Sequence, residues 1–127
     1  MARKLKPTDA ELEILRVLWD RGPSTVREVH EVLSRARPGG YTTALKLLQI
    51  MAEKKLVRRD EKQRAHVYVA RYAREQTERQ LLRDLVERVF NGSAARLVMQ
   101  ALAGKRATRE ELDEIRRMLD RMEESTP

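Results

Sequence analysis

Thr42, Lys46, Gln49 and Glu53 recur about one helical turn apart in the stretch Tyr41-Thr-Thr-Ala-Leu-Lys-Leu-Leu-Gln-Ile-Met-Ala-Glu-Lys-Lys55, with Thr43 and Ile50 beside them. Ala44, Leu45, Leu47, Leu48 and Met51 recur at helical spacing on another side and can be buried. The polar stripe is short and nearly uncharged, whereas a solvated helix face usually carries alternating Glu and Lys. Thr, Lys and Gln at the start of a helix can hydrogen-bond base edges and phosphates in a major groove. Tyr41, at the head of the stretch, is counted with Thr42, Thr43, Lys46 and Gln49 in that set. An ordinary amphipathic surface helix has the same pattern, so the flanking chain has to decide.

Two helices must come before this one to hold it. Thr8-Asp-Ala-Glu11 is a capping box, in which the Thr8 oxygen accepts from the third helical amide and Glu11 reaches back. The helix it opens runs to about Asp20, with Leu12, Leu15, Leu18 and Trp19 as its inward stripe. Arg21-Gly22-Pro23 stops it, since Gly suits a left-handed cap and Pro cannot continue a helix. Ser24 and Thr25 open a second short helix, with Thr25-x-x-Glu28 as another capping box and Val26, Val29, Val32 and Leu33 as its apolar side. Arg37-Pro-Gly-Gly40 breaks the chain again, and the third helix starts at Tyr41. Two helices joined by a turn, the second bearing a polar face, are a helix-turn-helix arrangement.

The pattern then changes to short β-forming runs. Leu56-Val-Arg-Arg-Asp60 and His66-Val-Tyr-Val-Ala70 flank Asp60-Glu-Lys-Gln-Arg-Ala65, which reads as a β-hairpin with a charged tip. Three helices followed by a basic hairpin are the order of elements in a winged helix. Arg58, Arg59, Lys62 and Arg64 give the wing positive charge for phosphates or a minor groove. Protection of an edge strand against aggregation would use the same residues.

Beyond residue 72 the chain reads as helices without that charge. Arg74 to Phe90 carries Leu81, Leu82, Leu85, Val86, Val89 and Phe90 on one stripe; Asn91-Gly92 is a turn. Ser93 opens a helix with Leu97, Val98, Ala101 and Leu102 inward, ended by Gly104. Thr108-x-x-Glu111 is a third capping box, before Leu112, Ile115, Leu119 and Met122 near heptad spacing. One-sided helices with so few aromatics need something to cover them. A second copy of the chain is the favoured partner, packing on the wing domain of the same chain the other.

Charge sharpens the division. Of the net +7, residues 1–72 hold 16 Lys/Arg against 9 Asp/Glu, and residues 73–127 hold 11 of each. A basic half joined to a neutral half suggests a polyanion-binding module joined to an assembly or sensing module. No run of 18 apolar residues exists to insert into a membrane, and Met-Ala-Arg-Lys-Leu-Lys lacks the apolar core of a signal peptide. With no cysteine there is no disulfide framework or thiol chemistry, and a reducing cytoplasm is the expected location. Only two histidines occur, His30 beside Glu28 and Glu31 and His66 at a strand start, and no Gly-rich phosphate loop. No catalytic constellation, metal site or cofactor is expected from them. Glu110, Glu111, Asp113 and Glu114 read as the solvated first turn of a helix.

At this point the ordered segments Pro7-Thr-Asp-Ala-Glu-Leu-Glu-Ile-Leu15, Leu18-Trp19, Thr25-Val-Arg-Glu-Val29, Tyr41-Thr-Thr43, Leu56-Val-Arg-Arg59, His66-Val-Tyr68 and Phe90-Asn-Gly-Ser93 resemble the BlaI/MecI penicillinase-repressor family. The resemblance spans about Pro7 to Glu123. It implies a dimeric repressor on a palindromic operator in double-stranded DNA, reading with the third helix through Thr42, Thr43, Lys46 and Gln49, with Arg64 as a wing arginine. It also implies release by a membrane-bound sensor metalloprotease, with cleavage in the helix 93–103 near Gln100-Ala101. Three departures stand out: Lys55 where many members end the recognition helix with Gly, Gln63 for a wing Gly, and Ile50 for an Arg. Without cysteine, the sensing mode of the copper-responsive branch is excluded.

The expectation is therefore a mostly α chain with a small β-hairpin wing: a winged-helix DNA-binding domain over residues 1–72 and a helical dimerisation domain over 73–127. The rival is a helical protein-interaction adaptor with non-specific nucleic-acid affinity.

Overall fold

Three threonines set the starts of three helices. In the computed structural model, which describes residues 6–36, 38–62 and 64–126, Thr8, Thr25 and Thr108 each accept a hydrogen bond from the amide three residues on. Glu11, Glu28 and Glu111 return to the threonine amides, so all three capping boxes are closed. The Thr25 amide, aided by the Arg21 guanidinium 2.7 Å from the Glu28 carboxylate, holds the Glu28 carboxyl below the usual carboxylate range, and the Thr108 amide does the same for Glu111. The helices they open are α1 (Asp9–Arg21), α2 (Val26–Ser34) and, far along the chain, α6 (Arg109–Ser125). Between them come β1 (Ser24–Thr25), α3 (Tyr41–Glu53), β2 (Val57–Asp60), β3 (Val67–Ala70), α4 (Arg74–Val89) and α5 (Ala94–Gly104). The basic arm up to residue 5, Arg37 in the second break and Gln63 at the wing tip lie outside the described residues.

The turn after α1 corrects one expectation. Thr25 caps the second helix as expected, but Ser24 and Thr25 also form a short strand paired with β3, Ser24 opposite Tyr68 and Thr25 opposite Val67. Gly22 takes a left-handed φ of 88° and returns its amide to the Leu18 carbonyl at 2.8 Å. Fully buried Ser24 then satisfies its hydroxyl locally, donating to the Gly22 carbonyl at 2.9 Å. Its backbone is left free to pair across the sheet. Thr25 is extended, a conformation that suits both a strand and an N-cap. The sheet is antiparallel throughout with strand order β1-β3-β2, so the expected hairpin is its larger part.

One core closes this region. Ile14, Leu15, Val17 and Leu18 of α1, Val26 and Val29 of α2, Ala44, Leu48 and Met51 of α3, Val57 and Tyr68 are all buried. The stripe drawn on α1 is too narrow: Ile14 and Val17 are buried, while Leu12 and Trp19 only flank the cluster. The reason is that α2, α3 and β3 all pack on α1, which is covered on more than one side. The Trp19 indole donates to the Tyr72 carbonyl at 3.0 Å. The Arg74 guanidinium lies over the Trp19 ring, 5.6 Å from its centre, and pairs with Asp20. The first turn of α4 is thereby tied to α1, and the compact first unit extends to Leu82, within α4.

The second unit begins at Arg83. Asn91 and Gly92 both adopt left-handed conformations (φ 51° and 84°), and the Gly92 amide returns to the Val86 carbonyl at 2.9 Å. Ser93 caps α5, accepting from the Arg96 amide at 3.2 Å. No residue of α4, α5 or α6 is buried.

Candidate nucleic-acid interface

Helix α3 presents a sorted surface. Ala44, Leu48 and Met51 face the core, while Tyr41, Thr42, Thr43, Lys46, Gln49 and Ile50 are exposed. The helix starts without the device used elsewhere: its N-cap is Gly40, and no side chain caps it. Its first-turn amides therefore stay open to solvent, the positive end of the helix dipole among them.

The other end of α3 is held tightly. Lys55 takes the left-handed position (φ 65°) that Gly would fill with least strain. The Leu56 amide returns to the Met51 carbonyl at 2.9 Å and the Lys55 amide to the Ala52 carbonyl at 3.1 Å, the paired bonds of a Schellman motif. Lys54, just before it, donates to the Glu11 carboxylate at 2.7 Å. Burial pushes the Glu11 carboxyl up, but Lys54 and the Thr8 amide outweigh it and hold the group below the usual carboxylate range. Sequence reasoning read Glu11 only as a capping residue. Its i+3 spacing from Thr8 explained it fully, and nothing in the linear chain couples it to a lysine 43 positions on.

The wing residues fall into two groups. Arg58, Lys62 and Arg64 are exposed. Arg59 is also exposed, but its guanidinium pairs with the Glu61 carboxylate. The Lys62 amide donates to Asp60 at 3.0 Å, which shapes the tip. α3 packs against β2, so the helix and the edge strand of the wing share one support.

The stripe residues assigned to dimerisation are not brought into a core. Leu81, Val86, Phe90, Leu97, Leu112 and Ile115 are half-exposed, and Leu82, Leu85, Val89, Val98 and Leu119 are exposed. Gln100 and Ala101 are exposed on α5. Among the described residues no group of three or more His, Asp or Glu could hold a metal ion. Among the same residues no helix is long and apolar enough to cross a membrane.

A helix-turn-helix completed by an antiparallel hairpin defines the winged-helix class of DNA-binding proteins. The profile of the penicillinase repressor family matches residues 7–121, and the chain belongs to that family of transcriptional repressors. Two curated relatives, the transcriptional regulators BlaI of Mycobacterium tuberculosis strains CDC 1551 / Oshkosh and ATCC 25618 / H37Rv, are each 32% identical over 124 residues, covering 97% of this chain and 89% of theirs. The solution structure of the DNA-binding domain of the repressor BlaI matches with a TM-score of 0.51 at 24% identity, over 58% of this chain and 90% of that one. Bacillus licheniformis BlaI, solved as a monomeric form in complex with the blaP half-operator, matches with the same TM-score and identity over 59% and 92%. These two likenesses bear on the fold.

Proposed function

We propose that this chain acts as a homodimer on a palindromic operator, each copy placing α3 in a major groove of one half-site. The observation that carries this is the exposed, nearly uncharged face of Thr42, Thr43, Lys46 and Gln49 on a helix whose opposite face is fully committed to the core. Thr, Lys and Gln at these positions address base edges, and Tyr41 and the open amides at the head of α3 address a flanking phosphate. Arg58, Lys62 and Arg64 add phosphate contacts from the wing. The Bacillus relative bound to a half-operator supports a reading of one winged helix per half-site.

The apolar faces of α4, α5 and α6 hold the two copies together, and bound DNA excludes polymerase. Repression ends when the dimer is weakened, because one half-site supplies too little free energy. Cleavage at Gln100–Ala101 by a membrane sensor metalloprotease would do so. That bond lies inside α5, so the helix must open before a protease can take it in extended form. The protein does this in the cytoplasm, by binding alone, with no catalytic step and no cofactor.

The test is binding of the purified protein to the intergenic DNA upstream of its own gene, across salt, against random duplex of equal length. The expected result is tight binding with a two-fold footprint and a steep salt slope. Weak binding, equal on both duplexes, would leave the adaptor reading, in which the exposed stripes of α4 to α6 take a different protein.

A further inference from the structure

The start of α3 raises a physical problem. Gly39 and Gly40 precede it, and fixing two consecutive glycines costs more backbone entropy than fixing any other pair. A Cβ at Gly39 would meet nothing within 4 Å, so neighbouring atoms do not hold this turn by packing. The N-caps of α1, α2, α5 and α6 all bond their own helix through a Ser or Thr hydroxyl, and Gly40 has no side chain to do so.

The restraint comes from α2 instead. His30 Nε2 lies 2.8 Å from the Gly39 carbonyl oxygen. A carbonyl can only accept, so the ring is in a form that carries its proton on Nε2. The same ring meets Tyr41 edge to face, with centroids 6.1 Å apart and planes at 80°. One side chain thus grips the residue before the N-cap and the first residue of the helix, on either side of Gly40.

We propose that His30 is a positioning residue for DNA reading. It fixes the Gly39–Gly40 turn and the Tyr41 ring, and through them the register in which Thr42 and Thr43 meet the DNA. This rests on the assignment of α3 as the reading helix. His30 itself touches no base.

The experiment compares wild type, His30→Ala, His30→Gln, Lys46→Ala and the double variant Thr42→Ala/Gln49→Ala on two duplexes: one that the wild-type protein selects from a randomised pool, and a scrambled duplex of the same length. Loss of a single partly exposed hydrogen bond predicts that His30→Ala weakens selected-site binding roughly three- to tenfold. Scrambled-duplex binding should change by less than about twofold, because phosphate attraction does not depend on that register. His30→Gln, whose amide can donate to the same carbonyl, should recover most of the loss. Adding Gly40→Ser to His30→Ala should recover part of it. Gly40 has the extended conformation of an N-cap, and a Cβ there meets only the Thr42 amide nitrogen at 4.0 Å.

Selected-site binding by His30→Ala equal to wild type overturns the proposal, as does an equal loss on both duplexes with a lowered melting temperature, which would make His30 a fold residue only. Lys46→Ala separates the two levels. If it removes discrimination while His30→Ala does not, positioning by His30 alone is wrong. If Lys46→Ala and Thr42→Ala/Gln49→Ala both leave discrimination intact, α3 is not the reader and both readings fall.

Discussion

The residues up to Leu82 and those from Arg83 onward spend their apolar surface in opposite ways. The first unit buries eleven hydrophobic side chains in one cluster fed by three helices and two strands. The second forms helices with hydroxyl caps on α5 and α6, and none of its described residues is buried. Leu85, Val89, Val98, Met99, Met118, Leu119 and Met122 remain exposed there, Val89 at 61% and Met99 at 62%. Local signals are enough to start a helix, since a cap satisfies its own amides, but they do not cover its apolar face. The comparison separates two problems that look alike in sequence: making helices, and closing a core around them. The first unit solves both within one chain. The second solves the first problem only, and its apolar faces stay open to solvent in the single chain.

The comparison breaks first at Leu48, which is fully buried on the inner side of α3. Leu48→Ala should destabilise the winged helix by about 2–5 kcal/mol, read by denaturant unfolding. A loss under about 1 kcal/mol would mean that the core is less committed than its burial indicates.

The second unit should answer oppositely. Leu85→Asp, at a side chain 42% exposed in the single chain, should leave the fold intact by circular dichroism and weaken self-association by about 2–3 kcal/mol, giving monomers by light scattering at micromolar concentration. Persistence of a dimer would place the interface elsewhere.

A smaller effect is expected where α1 meets the end of α3. Lys54→Met leaves the buried Glu11 carboxylate with the Thr8 amide but without its cation, and should cost about 1–3 kcal/mol at neutral pH. The folded Glu11 carboxyl lies below its ordinary value, so its stabilisation is complete above the ordinary carboxylate pKa and fades as pH falls through the folded one. Wild type and Lys54→Met should therefore converge in stability on acidification through the carboxylate range. A gap that stays constant with pH would assign the loss to packing of the lysine stem.

The smallest change sharpens the comparison of helix ends. Lys55→Gly relieves a left-handed lysine and should raise the unfolding free energy by up to about 1 kcal/mol. Its effect on DNA binding then shows whether the lysine is kept for its charge. Unchanged affinity would leave the strained residue without a binding role.

How much was legible follows the same division between local and distant causes. The three capping boxes, the Gly22 stop and the Asn91-Gly92 turn are written in residues three or fewer apart, and all formed as read. The left-handed Lys55 was less legible, because a lysine disfavours that position and only the bonds closing the end of α3 reveal it there. The polar face of α3 was legible from its period alone, since Ala44, Leu48 and Met51 fall opposite it. Pairing across long sequence separations was not. Strand β1 exists only because β3, over forty residues later, offers it an edge. Ser24 reads as a helix start until that edge is present.

By itself, then, the sequence determined which segments are helical, where the capping boxes open them, which half carries the positive charge and which face of the third helix stays polar. Each of these depends on residues within a turn or two of one another, or on simple counts. The tertiary structure alone decided that α1 is buried on more than one side, that Glu11 is held by Lys54, that Trp19 anchors the start of α4 through Tyr72 and Arg74, and that His30 grips the turn ahead of α3. These contacts need side chains from different elements to meet in space. Their energies depend on desolvation and distance, which residue order does not encode.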